Sequence, residues 1–171
     1  RQRQMCIRDS INAEKIALFF EQGASADDLL QAYIESLEHV HEPSTEMQPG
    51  DDLALLAAYV TLAKSSSVEN LIQAAAIASY ACEKSARAYK LRLLLIRLLL
   101  RLGCLKLAVY HFDALELKAV QLDTMPHYLL DRNASFGGSH AADVGNHWEG
   151  GIKDFYELSA FEVPEALGRA F

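Results

Sequence analysis

LRLLLIRLLLRLGCLKLAVYHFDAL, residues 91–115, is the stretch that decides the fold. Leu91, Leu94, Leu95, Leu98 and Leu102 fall on one side of a helix at about 3.6 residues per turn, and Leu93, Ile96 and Leu100 spread around it. A helix apolar over most of its circumference is buried on more than one face, which suits the inner part of a stack of helices. Gly103 supplies its stop, and a second, shorter helix follows from Leu105 to about Leu115. Two helices joined by so short a break form an antiparallel pair.

Outward from this pair the pattern stays helical, with hardly a strand signal. The leucine-rich helix is predicted over 86–102. Residues 13–22 and 26–40 read as two short amphipathic helices separated by Gly23-Ala24-Ser25, with Ser25 as N-cap and Leu29, Leu30, Tyr33, Ile34 and Leu37 at helical spacing. HVHEPSTEMQPG, residues 39–50, breaks the pattern with Pro43, Pro49 and Gly50. Asp51 or Asp52 is predicted to cap the next helix, which runs to Lys64 with Leu53, Leu56, Ala57 and Val60 on one face. Ser67 caps a further helix to about Lys84, and another lies within 120–133, entered near Pro126. Residues 137–151 carry five glycines and read as a loop, and 152–171 starts a further helical hairpin. Gly103, Ala108 and Phe112 sit at spacings resembling the tetratricopeptide pattern, but no period of about 34 residues recurs. The expected fold is therefore all-α, an irregular tetratricopeptide-like α-α solenoid over residues 11–136, with a closed helical bundle as the alternative.

Charge and cysteine content narrow the function classes. The chain of 171 residues carries a formal net charge of −7, which disfavours non-specific nucleic-acid binding and gives no expectation of direct DNA contact. Arginines interrupt the longest apolar runs, so no segment is expected to span a bilayer. Cys82 and Cys104 lie outside any C-x-x-C pair and read as reduced core thiols of a cytoplasmic protein.

RQRQMCIRDS, residues 1–10, stands apart, with three arginines and no apolar periodicity. Back-translated as CGG CAG CGT CAG ATG TGT ATA AGA GAC and completed by AG, it resembles a transposase adapter used to prepare sequencing libraries. It is read as a translated adapter, with Ile11 an internal residue of a longer protein and the chain a slice of a larger superhelix. A genuine basic arm is the alternative. Without Arg1, Arg3, Arg8 and Asp9 the charge falls by two, to −9.

No catalytic constellation emerges. The sequence lacks a P-loop, a G-x-G-x-x-G and a G-x-S-x-G. His39 and His41 near Glu42 and Glu46 read as a solvated helix end rather than a metal cluster, and His140 and His147 lie in the glycine-rich loop without a clear carboxylate partner. His111 and Asp113 are two apart on a helix and do not face each other. Neither metal nor cofactor is expected. Cations are more suggestive: Arg87, Lys90, Arg97 and Arg101 fall within a narrow arc, while Arg92 points elsewhere. Such a stripe is a candidate contact for RNA or for an acidic partner surface, against the plainer reading of snorkelling side chains on a solvated face.

Two stretches carry a family resemblance. STEMQPGDDLALLAA, residues 44–58, resembles a segment of the auxiliary, non-catalytic subunit of the N-terminal acetyltransferase B complex (NatB), where a T-E-x-Q-x-G-D motif precedes a leucine- and alanine-rich helix. Its residues here are Thr45, Glu46, Gln48, Gly50 and Asp51. The second runs from Lys90 through the leucine-rich helix to LELKAVQLDTMPHYLL, where Lys118, Val120, Gln121, Asp123 and Thr124 match a K-x-[IV]-Q-x-D-T turn. The resemblance covers 44–136 well and 11–43 weakly, and the glycine-rich insert after Phe136 departs from it. These residues look structural: Thr45, Gln48 and Asp51 suit capping, while Gln121, Asp123 and Thr124 suit bracing a turn. The resemblance implies a helical-repeat scaffold that wraps a catalytic acetyltransferase and places it at the ribosome. The complex would acetylate nascent chains starting Met-Asp, Met-Glu, Met-Asn or Met-Gln. The acetyl-CoA turn R/Q-x-x-G-x-G/A does not occur in this sequence, as befits a non-enzymatic subunit. Another helical-repeat adaptor, such as a tetratricopeptide co-chaperone, is the competing reading, but its clamp of Lys, Arg and Asn cannot be assembled here.

Overall fold

The computed structural model describes residues 2–19, 23–38, 48–117, 125 and 127–130. The described elements are all helices: α1 Gln2–Phe19, α2 Ala26–Leu37, α3 Asp51–Lys64, α4 Val68–Lys84, α5 Tyr89–Arg101, α6 Leu105–Asp113 and α7 His127–Leu130. Each of α2 to α6 packs against the next in sequence. In addition α3 touches both α1 and α5, and α5 touches α7. The odd-numbered helices therefore form one layer and α2, α4 and α6 the other, an all-α solenoid built from stacked antiparallel neighbours.

Local chemistry sets three of the helix ends. Ser25 opens α2 with a capping box: its hydroxyl accepts from the Asp28 amide, and the Asp28 carboxylate accepts from the Ser25 amide. Ser67 opens α4 by accepting from the Asn70 amide. Gly103 closes α5 with φ +78°, the left-handed backbone that glycine adopts most readily. The Gly103 amide donates to the Leu100 carbonyl, and the Cys104 amide to the Leu99 carbonyl at 2.8 Å, which completes a Schellman motif.

Side-chain size then sets how closely the helices approach. Ala54, Ala57 and Ala58 of α3 and Ala74, Ala78 and Ala81 of α4 are wholly buried, so these two helices meet with almost no side chain between them. Around α5 the filling is instead leucine: Leu91, Leu95, Ile96 and Leu98 are buried, with Ala108, Phe112 and Leu129 closing from α6 and α7.

Four expectations need correction. The helix predicted over 13–22 runs from Gln2, because no proline or glycine interrupts the first 19 residues; Arg8, Asp9 and Ser10 are exposed, and Ile11 reaches the core. The leucine-rich helix begins at Tyr89, not 86, since Ser85 is extended and the next residues turn. Asp51 and Asp52 lie inside the first turn of α3, whose N-cap position is Gly50. Cys82 is buried as expected, its thiol pushed up to about 11 by burial, but Cys104 is exposed at the turn after α5.

Among the described residues, no helix is long and apolar enough to cross a membrane. The glycine-rich 137–151 stretch and the hairpin expected over 152–171 lie outside them.

Candidate functional site

Two places collect the residues singled out by sequence. The first is a joint at the start of α3. Gly50 is buried against the end of α2, and a Cβ there would overlap the Ser36 hydroxyl and press on its Cβ, with the Tyr33 ring in ordinary contact. Only glycine lets the chain pass this close. Asp51 follows, 3% exposed. Its Oδ2 accepts from the Gln48 amide at 3.1 Å and from the Ser85 hydroxyl at 2.7 Å. One carboxyl thus ties the turn before α3 to the turn between α4 and α5. Burial raises its proton affinity, and the bonds from Ser85 and Gln48 oppose this without cancelling it. Tyr33 lies beside it, its hydroxyl buried and its proton held more tightly than usual by desolvation and by the Asp51 charge. Across the even-numbered layer, the Tyr33 ring meets Tyr80 of α4 edge to face at 6.4 Å. This is an architectural joint with no nucleophile poised for chemistry.

The second place is the exposed face of the odd-numbered layer, where the basic stripe of α5 divides into two parts. Asp52 bonds Lys15 of α1 at 2.7 Å and Lys90 of α5 at 3.2 Å, so it spans three neighbouring helices. Burial would raise the Asp52 pKa, but the hydrogen bonds from Lys15 and Lys90 outweigh it and hold it below the usual value. Two turns further along α5, Arg97 and Arg101 line a cavity of about 370 Å³ with Leu62, Leu94, Leu98, His127 and Tyr128 among its walls. The Arg97 guanidinium sits 5.5 Å above the Tyr128 ring.

The other predicted cations lie elsewhere. Arg87 precedes α5 and donates to the Tyr89 hydroxyl at 2.7 Å. Arg92 is buried, with Nη2 3.4 Å from the Ala86 carbonyl. It also influences Cys82 of α4 and His111 of α6, and His111 is held below its usual pKa by burial and by the Arg92 charge.

Thr45, Glu46, Lys118, Gln121, Asp123 and Thr124 lie outside the described residues, as do His39, His41, His140 and His147. No group of histidine, cysteine and carboxylate side chains among the described residues is arranged to hold a metal ion. Sequence reading missed Ser85 as a partner of Asp51, and Asp52 as the bridge that claims Lys90. Each contact joins residues far apart in the chain.

The joint at Gly50 and Asp51 is structural, and comparison with known proteins supplies the family. The whole chain, residues 1–171, matches the family described as the N-acetyltransferase B complex (NatB) non-catalytic subunit. The chain belongs to that family. It is also 33% identical over 84 residues to the N-terminal acetyltransferase B complex subunit arm1 of Schizosaccharomyces pombe. That alignment covers 48% of this chain and 10% of the yeast protein, so the chain spans a small part of its relative. No solved structure matches significantly. Within this chain the Gly50–Asp51 pair joins the turn before α3 to its neighbours.

Proposed function

We propose that this chain is part of the NatB scaffold that holds the catalytic acetyltransferase subunit and positions it at the ribosome. There the complex would act in the cytoplasm on nascent chains starting Met-Asp, Met-Glu, Met-Asn or Met-Gln. The observation that carries the reading is the family match over the whole chain. The architecture supports it physically. Stacked helices give an extended surface whose shape is fixed by neighbour-to-neighbour packing, and a scaffold needs such a surface. The Asp52 bridge to Lys15 and Lys90 holds three helices of one layer in register on that surface.

Affinity purification of the full-length protein, followed by mass spectrometry, tests the first half. A catalytic acetyltransferase should co-purify in near-equal amount, and its absence would end the reading. Sedimentation with ribosomes tests the second half: the complex should travel with the large subunit, and release of nascent chains should not remove it.

A further inference from the structure

We propose that the groove between α3, α5 and α7 is a docking site for a segment of a partner protein in which carboxylates flank a leucine-sized apolar side chain. Charge is the first reason. Arg97 and Arg101 are one turn apart on α5 and exposed, and neither pairs with a carboxylate among the described residues. This occurs in a chain of 23 acidic residues, where Lys15 and Lys90 have already converged on Asp52.

Geometry is the second reason. The Arg97 guanidinium is held 5.5 Å from the centre of the Tyr128 ring at the groove, and no carboxylate among the described residues pairs with it. Leu62 and Leu94 give the cavity apolar walls between the cations. Walls of that kind reward burial of an alkyl side chain and gain little from a sugar-phosphate backbone.

The same observations select protein over RNA. An RNA strand calls for a track of cations and for open aromatic faces on which bases stack. Here the track is cut at Lys90 by Asp52, and the Tyr128 ring lies under Arg97. What remains is a short doublet of arginines beside leucine walls, which matches an acidic peptide with one apolar anchor.

The proposal goes beyond the scaffold reading and does not depend on it, since the occupant is argued from the charge and walls of the groove. It is tested with the purified full chain, so a purification lacking an acetyltransferase would sink the scaffold reading and leave this one standing. A fluorescein-labelled peptide of repeating Glu-Leu-Glu should raise its anisotropy on titration with the chain. Its Gln-Leu-Gln counterpart should bind at least about tenfold more weakly, as expected for loss of a charge-assisted pair. Arg101→Ala should weaken acidic-peptide binding by about tenfold, and Arg97→Ala by at least as much. Lys90→Ala should leave it within about twofold, since Asp52 already holds that charge. Arg97, not Arg101, lies over the Tyr128 ring of α7, so the Arg101 variant keeps that ring contact if Arg97→Ala loosens the helix. Equal binding to the wild-type and Arg101→Ala chains would overturn the proposal. So would tighter binding of labelled oligouridylate that weakens equally on removing Lys90, Arg97 or Arg101, which would make the face an RNA track.

Discussion

Asp51 and Asp52 are neighbours in sequence with opposite fates. Asp51 turns between the layers, loses water and meets only neutral donors, the Ser85 hydroxyl and the Gln48 amide. Asp52 turns onto the exposed face and meets two ammonium groups. Burial raises the proton affinity of the first, and Lys15 and Lys90 lower that of the second. The contrast teaches that a helix start can serve two structures at once. One carboxyl locks a joint in the core, while its neighbour ties the layer together and removes a cation from the surface.

The largest expected effect comes from breaking the joint. Asp51→Ala leaves the Ser85 hydroxyl and the Gln48 amide without their acceptor in a buried place, and should cost about 2–3 kcal/mol in urea unfolding. Gly50→Ala attacks the same joint from the other side, forcing a methyl group into Ser36, and should cost about 2 kcal/mol. Adding Ser36→Ala should recover part of that loss, because the nearest obstructing atom is the serine hydroxyl; strict additivity of the two changes would refute the steric account.

Breaking the surface partner is expected to matter less. Asp52→Ala should cost under about 1 kcal/mol, with the difference from wild type shrinking in high salt, as for a partly exposed ion pair. The pH dependence sharpens the comparison because the two signs oppose. The folded chain keeps the Asp51 proton at pH values where the unfolded chain has lost it. The advantage of wild type over Asp51→Asn should therefore fall as pH rises from the ordinary value of 3.8 through the raised one. Asp52 stabilises in full above 3.8, and that contribution is lost as pH falls through its lowered value. Thermal unfolding of Asp51→Asn and Asp52→Asn across this range should show difference curves of opposite slope. Equal slopes would remove the distinction.

How much was legible in the sequence follows the range of each interaction. Ser25, Ser67 and Gly103 act on residues within one turn, so their caps and stop can be read from local spacing. The leucines of α5 and the Ala108–Phe112 pair of α6 follow helical periodicity, and the core contains them. Asp51 misled because an aspartate after Pro-Gly has the signature of a cap. Its decisive partner, Ser85, comes 34 residues later. The start of α5 was overextended for a related reason: Ala86 and Arg87 suit a helix, but Ser85 is held extended in the turn that Asp51 grips. The basic stripe was visible as spacing on one helix, while its division was not, since Asp52 lies 38 residues from Lys90.

The sequence by itself determined the all-α class, the order of the helices, most of their boundaries and, through the motif stretches at 44–58 and 90–130, the family to which the chain belongs. These depend on periodicity, caps and turns, whose forces act within a few residues. The tertiary structure decided which carboxylate is buried, which cation is neutralised and which two arginines remain to face a groove. Those outcomes depend on desolvation and on charges brought together from distant helices, and only the packed layers set them.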